Sequence, residues 1–234
     1  MTSYKLTVKN QTGGPQDYAF FSAPPIVSGG PSGEIWSNIM RVSPHTPNGA
    51  MSTLELSSSY YAICGSFDGT PEQGGQVSVS KAVSVKLGSS DGTNVTRGST
   101  VALTVFEKES CDLGPPTTPG GGKIGNFQLD TSISSPDGAF TIQDAKNNHL
   151  LVGIANSKDS DIQTAIGTFV PYPNAKYQIQ PQAVIYVSAG QRFNAGDFVK
   201  VEMTFNCMAV DFNVRQTNDV TLIHNQDNEF VFSG

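Results

Sequence analysis

Apolar and polar residues alternate along much of this chain. In Tyr4-Lys5-Leu6-Thr7-Val8 the period is two, which puts apolar side chains on one strand face and polar ones on the other. Val77, Val79, Val83, Val85 and Leu87 alternate with serine and lysine, as one long strand or a bent pair would. Tyr18-Ala19-Phe20-Phe21 and Leu150-Leu151-Val152-Gly153-Ile154 are short unbroken apolar runs, the pattern of strands buried on both faces. Ile35-Trp36-Ser37-Asn38-Ile39-Met40 reads as a strand in preference to a short helix, and 101–106 as another. In the second half the predicted strands are 127–130, 165–170, 198–205, 208–214, 220–223 and 230–232. Asp137-Gly138 predicts a hairpin turn between Ile133 and Phe140-Thr141-Ile142. Asn10 to Gly14, 29–33, Asp91-Gly92 and Arg97-Gly98 supply further turns. No window of a dozen residues carries a helical period, and the one helix candidate is short, over 159–164.

One segment occurs twice. Pro47-Asn48 leads through Met51, Leu54 and Leu56 to Tyr60-Tyr61-Ala62-Ile63 and Gly65. Pro173-Asn174 leads through Tyr177 and Ile179 to Val184-Ile185-Tyr186-Val187 and Gly190. Each copy is a turn, an alternating strand, a short break, a second strand and a glycine. Between them lies Gly114-Pro115-Pro116-Thr117-Thr118-Pro119-Gly120-Gly121-Gly122, which has the composition of a tether. About seven strands in the first ~110 residues suit an immunoglobulin-like sandwich. The predicted fold is therefore all-β, as two tandem immunoglobulin-like antiparallel sandwiches: residues 1–111, a Pro/Gly-rich linker at 112–125, and residues 126–234. Gly120-Gly121-Gly122-Lys123-Ile124-Gly125 matches a dinucleotide-binding fingerprint by letter. It lacks the preceding strand and following helix, so the glycines are read as linker.

Composition agrees with short strands and many turns. Charged residues are 15 % of the 234, well below the usual share of about 25 %. The net charge of -6, without a Lys/Arg cluster, argues against a nucleic-acid partner. No run approaches the ~18 apolar residues of a membrane span. Met1-Thr2-Ser3-Tyr4-Lys5 contains no apolar signal core, so a soluble, cytoplasmic protein is expected. Cys64, Cys111 and Cys207 are too few and too dispersed for a disulfide framework.

Most catalytic signatures are missing. There is no Gly-x-Ser-x-Gly elbow, and His45, His149 and His224 lie far apart, each expected in a turn or at the surface. Triads assemble in space, so an enzyme stays open as a third reading. No Cys-x-x-Cys or His-Glu-x-x-His exists, and no metal is expected. Asp159-Ser160-Asp161 and Asp227-Asn228-Glu229 carry hard oxygen ligands suited to calcium, but acidic loops of this kind are ordinarily solvated turns.

What remains is an aromatic and sulfur-rich apolar set. Trp36 is the only tryptophan, with Phe21 and Met40 near it in sequence and Tyr61 on the repeated strand. Met203, Phe205 and Cys207 share one face of a strand by alternation. Polarizable sulfur and aromatic rings suit a flat conjugated ligand, and these seven residues are the predicted lining of its pocket. The chemistry does not repeat with the segment, so a single asymmetric site is expected, where the first half's aromatics meet the strand around Cys207. For each of these residues ordinary core packing is the competing reading.

Tyr4 to Asn10, Tyr18 to Phe21, Ile35 to Asn38, and Phe169-Val170-Pro171-Tyr172-Pro173-Asn174 with Tyr177-Gln178-Ile179-Gln180-Pro181 resemble a family of leaderless fungal tandem β-sandwich proteins that includes the pink-coloured chromoprotein of oyster mushrooms. The resemblance implies tandem immunoglobulin-like domains and non-enzymatic binding of a small indolone-type chromophore that colours the fruiting body, or a colourless relative. It carries no pigment-contact motif. The expected partner is thus a small aromatic pigment, with no nucleic acid and no membrane, and a homo-oligomer is compatible. The alternative is a lectin-like or protein-binding module that contacts its partner through loops such as 29–33 and 159–161.

Overall fold

The computed structural model describes residues 3–31, 33–70, 74–132, 139–156, 164–190, 192–199 and 207–233. The protein is all-β. In the first sheet β1 (Tyr4–Asn10) pairs antiparallel with β6 (Met51–Leu56) and parallel with β20 (Asp219–His224), and β21 (Phe230–Phe232) forms the edge. Leu6 stands between Leu54 and Val220, so the predicted alternation buries one face. The second sheet has the order β19 (Cys207–Asp211), β18 (Val184–Ala189), β2 (Gln16–Ser22), β5 (Ile39–Thr46). The third has the order β12 (Ser110–Leu113), β11 (Gly98–Phe106), β14 (Phe127–Asp130), β17 (Lys176–Gln180), β3 (Ile26–Ser28), with β13 (Thr117–Gly122) also on β11. The fourth has the order β4 (Ile35–Ser37), β16 (Thr164–Phe169), β15 (Leu150–Asn156), β7 (Tyr60–Phe67), β8 (Val77–Val85). A small hairpin of β9 (Ser89–Ser90) and β10 (Val95–Thr96) turns at Asp91-Gly92, as predicted.

The pairing does not follow the predicted division into 1–111 and 126–234. Each of the four large sheets takes strands from both sides of residues 112–125. One continuous core contains Leu6 and Leu222 from the first sheet, and Phe20 and Val187 from the second. It also holds Leu103 and Phe127 from the third, and Cys64 and Val152 from the fourth. The expected tether is mostly strand: β13 lies on β11, and Gly121 N–H donates to Thr100 Oγ1 at 2.6 Å. A Cβ on Gly120 would collide with Thr100, and one on Gly121 with the Gln128 side chain. Here glycine serves close approach, not flexibility.

The repeated segment is real as local structure, and its meaning is different. In the first copy β6 belongs to the first sheet and β7 to the fourth; in the second, β17 belongs to the third and β18 to the second. The short break therefore carries the chain from one sheet to another and is not a hairpin. The other half of the chain holds each break. Asn156, buried on β15, donates through Nδ2 to Ser57 O at 2.8 Å and Ser59 O at 3.0 Å, while its Oδ1 accepts from Ser57 N–H at 3.1 Å. At the second break, Gln182 Nε2 donates to Pro24 O at 2.6 Å and Phe212 N–H donates to Ala183 O at 3.1 Å.

Two local predictions change. Phe140-Thr141-Ile142 leads into a helix, α1 (Ile142–Asn147), instead of a strand. Thr141 and Asp144 form a capping box, in which Thr141 Oγ1 accepts from Asp144 N–H at 3.1 Å and Asp144 accepts from Thr141 N–H at 2.8 Å. The end of the predicted 208–214 strand becomes a single turn, α2 (Phe212–Arg215), capped by Asp211. The predicted hairpin at 137–138, the acidic triplet Asp159, Ser160 and Asp161, and the strand residues Met203 and Phe205 lie outside the described residues; of the helix predicted over 159–164 only Thr164 is described, and it begins β16.

Candidate binding site beside Trp36

A cavity of about 560–570 Å³ opens at two places on this fold, beside Trp36 and beside His224. Both volumes lie within the range of small-molecule sites, roughly 300–1,000 Å³. The one beside Trp36 has the mainly apolar lining.

Its walls come from four separated parts of the chain. β4 is a three-residue edge strand that sets Trp36 opposite Thr168 of β16. Phe67 ends β7, and its ring meets the Trp36 ring edge-on, with centroids 5.5 Å apart and planes at 62°. Phe198, which backs this wall without lining the cavity, approaches both rings edge-on, at 5.1 Å from Trp36 and 5.9 Å from Phe67. Edge-to-face packing at such distances is the favoured arrangement of aromatic quadrupoles. His149 lies stacked on Phe67 at 5.0 Å and 22°.

The backbone around His149 accounts for that stacking. Its N–H donates to Lys146 O at 3.2 Å as α1 ends, and its own carbonyl accepts from Phe67 N–H at 3.1 Å. To do both, His149 adopts a left-handed φ of +52°, a conformation that costs a non-glycine residue free energy. Tyr172 on the opposite wall is held equally firmly. Its N–H donates to Tyr177 Oη at 2.8 Å, and its carbonyl accepts from Thr131 Oγ1 at 2.7 Å. Tyr177 Oη donates to Pro31 O at 2.8 Å, so one buried hydroxyl joins the two loops that flank the cavity. Burial pushes the Tyr177 hydroxyl up to about 12, so it stays a neutral donor at physiological pH. Exposed Glu34 and Lys146 put one charge of each sign on the rim.

One donor in this wall, and one just behind it in sequence that does not line the cavity, lack acceptors among the described residues. Trp36 Nε1–H is shielded from solvent and unpaired, and so is the Nδ2 of Asn38, a fully buried residue. Asn38 Oδ1 is engaged, accepting from Thr168 Oγ1 at 3.1 Å. Buried donors are nearly always satisfied, and leaving one unpaired costs roughly 1–3 kcal/mol.

The cavity beside His224 is built differently. Tyr18 Oη lies 3.0 Å from His224 Nδ1, and the imidazole stacks on Phe230 at 4.4 Å and 16°. His224 is 2 % exposed, against the expectation of a surface histidine. Burial holds its pKa below the ordinary value, with the Asn228 carbonyl pulling the other way. Burial also raises the Tyr18 hydroxyl far above its ordinary value, so both partners are neutral at pH 7. Gln16, Cys207 and Met208 complete the wall, and burial pushes the Cys207 thiol up.

Of the seven predicted site residues, Met203 and Phe205 lie outside the described residues, and among the other five only Phe21 and Cys207 come together. Trp36 lines the cavity described above. Phe21 lies on the outer face of the second sheet, stacked on its cross-strand neighbour Tyr186 at 5.2 Å and 8°, in a small cluster with Ile39 and Cys207. Met40 is in the main core, and Tyr61 packs with Ile63 and Ala155 on the outer face of the fourth sheet. Sequence reasoning missed Phe67, Phe198 and Tyr172, and it took His149 for an ordinary turn residue. These residues are 31 or more positions from Trp36, and no periodicity links them. Asp227 and Glu229 belong to a turn in which Asn225 Oδ1 accepts both their N–H groups. Among the described residues no three His, Cys, Asp or Glu side chains gather as metal ligands. No described helix is long and apolar enough to cross a membrane.

Comparison of the chain with protein-family models, with curated proteins and with solved structures gives no match.

Proposed function

We propose that this protein is a non-enzymatic carrier of a small, flat, aromatic ligand of the pigment type, an indolone among the candidates, seated beside Trp36. The observation that carries the reading is the mainly apolar cavity of about 570 Å³ whose wall holds the only tryptophan, with an indole N–H that lacks an acceptor among the described residues. A planar conjugated ligand would gain from desolvation and from ring contacts with Trp36, Phe67 and Tyr172. Nε1–H is shielded from solvent as the wall stands, so a carbonyl on that ligand would supply its acceptor once the surrounding rings shift to admit it. Polar groups placed against one end of a conjugated system shift its absorption, so the same contact would tune colour. No reaction is assigned to the site.

Protein purified from its own source tests the proposal. The expected result is visible absorbance, with one small organic molecule released per chain on denaturation. A colourless preparation that releases no mass overturns it.

A further inference from the structure

Cys64 and Cys111 are 47 positions apart in sequence (111 − 64) and are brought together where β12 packs against β7. Each thiol lies against backbone at or beside the other cysteine. Cys64 Sγ–H donates to Cys111 O at 3.4 Å, and Cys111 Sγ–H donates to O of Gly65, the residue after Cys64, at 3.4 Å. The two side chains therefore sit side by side. A bulge between Cys64 and Gly65 shapes β7 at this point, and a Cβ on Gly65 would collide with Ser78 O of β8. Beside the pair, Lys81 stands opposite Cys64 on β8, and its Nζ lies 2.7 Å from Asp112 Oδ1, joining β8 to β12. The pair is asymmetric: Cys64 is 0 % exposed and Cys111 is 9 % exposed.

We propose that Cys64 and Cys111 form an oxidisable dithiol, a modification site at which a small peroxide converts two buried thiols into a disulfide that joins β7 of the fourth sheet to β12 of the third. Cys111 is assigned as the attacking sulfur, because its residue retains 9 % exposure and Cys64 retains none. Its thiolate attacks one oxygen of the peroxide, the O–O bond breaks, and the departing hydroxide takes a proton to become water. Cys111 is then a sulfenic acid. Cys64 attacks that sulfur, the S–O bond breaks, the S–S bond forms, and a second water leaves with the Cys64 proton. Two thiols lose two electrons and two protons, and one hydrogen peroxide becomes two waters. The neighbouring Cys64 thiol favours the Cys111 thiolate, while the neighbouring Cys111 sulfur and then burial raise the Cys64 thiol. Cys207 lies on β19, in another sheet, and takes no part.

The test is peroxide treatment of the folded wild-type protein and of the Cys207→Ser variant, followed by alkylation under denaturing conditions and peptide mapping. In both proteins the expected product has lost two hydrogens and contains one cross-linked peptide pair carrying Cys64 and Cys111. The oxidised form should melt several degrees higher than the reduced form, because the cross-link closes a long loop. The proposal is overturned if Cys64 and Cys111 remain fully alkylatable after peroxide, or if Cys111 gains oxygen without cross-linking.

Discussion

The two cavities have nearly the same volume, and each is walled by aromatic rings and a histidine, yet they differ in what is left to bind. Beside His224 the buried histidine is engaged by the fold. Tyr18 Oη and His224 Nδ1 satisfy each other across the second and first sheets. Beside Trp36 the histidine is exposed, and one donor in the wall, Trp36 Nε1–H, has no described partner. Size and ring content alone therefore do not mark a site. Unsatisfied polar atoms in an apolar wall are more informative, because the fold bears their cost and a ligand relieves it.

Substitution should separate the two regions. The largest effect is expected from His224→Ala, which leaves Tyr18 Oη buried without its partner and opens a void. It should cost about 2–4 kcal/mol in chemical denaturation while leaving ligand affinity at Trp36 unchanged. Equal losses at both readouts would merge the regions into one. Phe67→Ala comes next. It removes the ring that touches Trp36, Phe198 and His149, and should weaken ligand binding by roughly 10–100-fold in a calorimetric titration. Trp36→Phe keeps an aromatic ring and removes only the N–H and the second ring. It should weaken binding by roughly 2–10-fold and improve stability slightly or leave it alone, since it deletes an unpaired buried donor. A loss of stability comparable to that of His224→Ala would mean that Nε1–H is already satisfied.

The smallest effect is a pH dependence that belongs to the His224 region. The folded pKa of His224 lies below its unfolded value, so below the ordinary histidine range the unfolded chain binds more protons than the folded one. Stability from neutral His224 is complete above about pH 6.5, the unperturbed histidine value, and declines as pH falls below it. The decline should vanish in His224→Phe. Its persistence there would place the responsible group elsewhere.

Strands were far more legible in the sequence than their arrangement. Alternation at Leu6 and Val8, the apolar run at 150–154 and the turn at Asp91-Gly92 each depend on neighbours within a few residues, and each is found as predicted. Sheet membership depends on long-range pairing that no local pattern encodes. β1 and β20, for example, pair in parallel between Leu6 and Val220. The repeat was visible because it is local. Its role as a sheet-to-sheet crossing was invisible, because Asn156 and Pro24 hold the breaks from afar. The site shows the same limit. Trp36 stood out as the only tryptophan, but Phe67, His149, Tyr172 and Phe198 join it only through the fold. Grouping Phe21, Met40 and Tyr61 by nearness in sequence put residues together that face different sides of their sheets.

Because Trp36 is the only tryptophan, its indole gives a single Nε1–H cross-peak in a ¹H–¹⁵N correlation spectrum, and that peak reports on the proposed site directly. Titration with isatin, a small planar indolone, should shift the Trp36 cross-peak saturably at one ligand per chain. The backbone signals of His224 and Phe230 should stay in place. If the probe binds while the indole peak stays fixed, or if only the His224 region responds, the cavity beside Trp36 is not the ligand site.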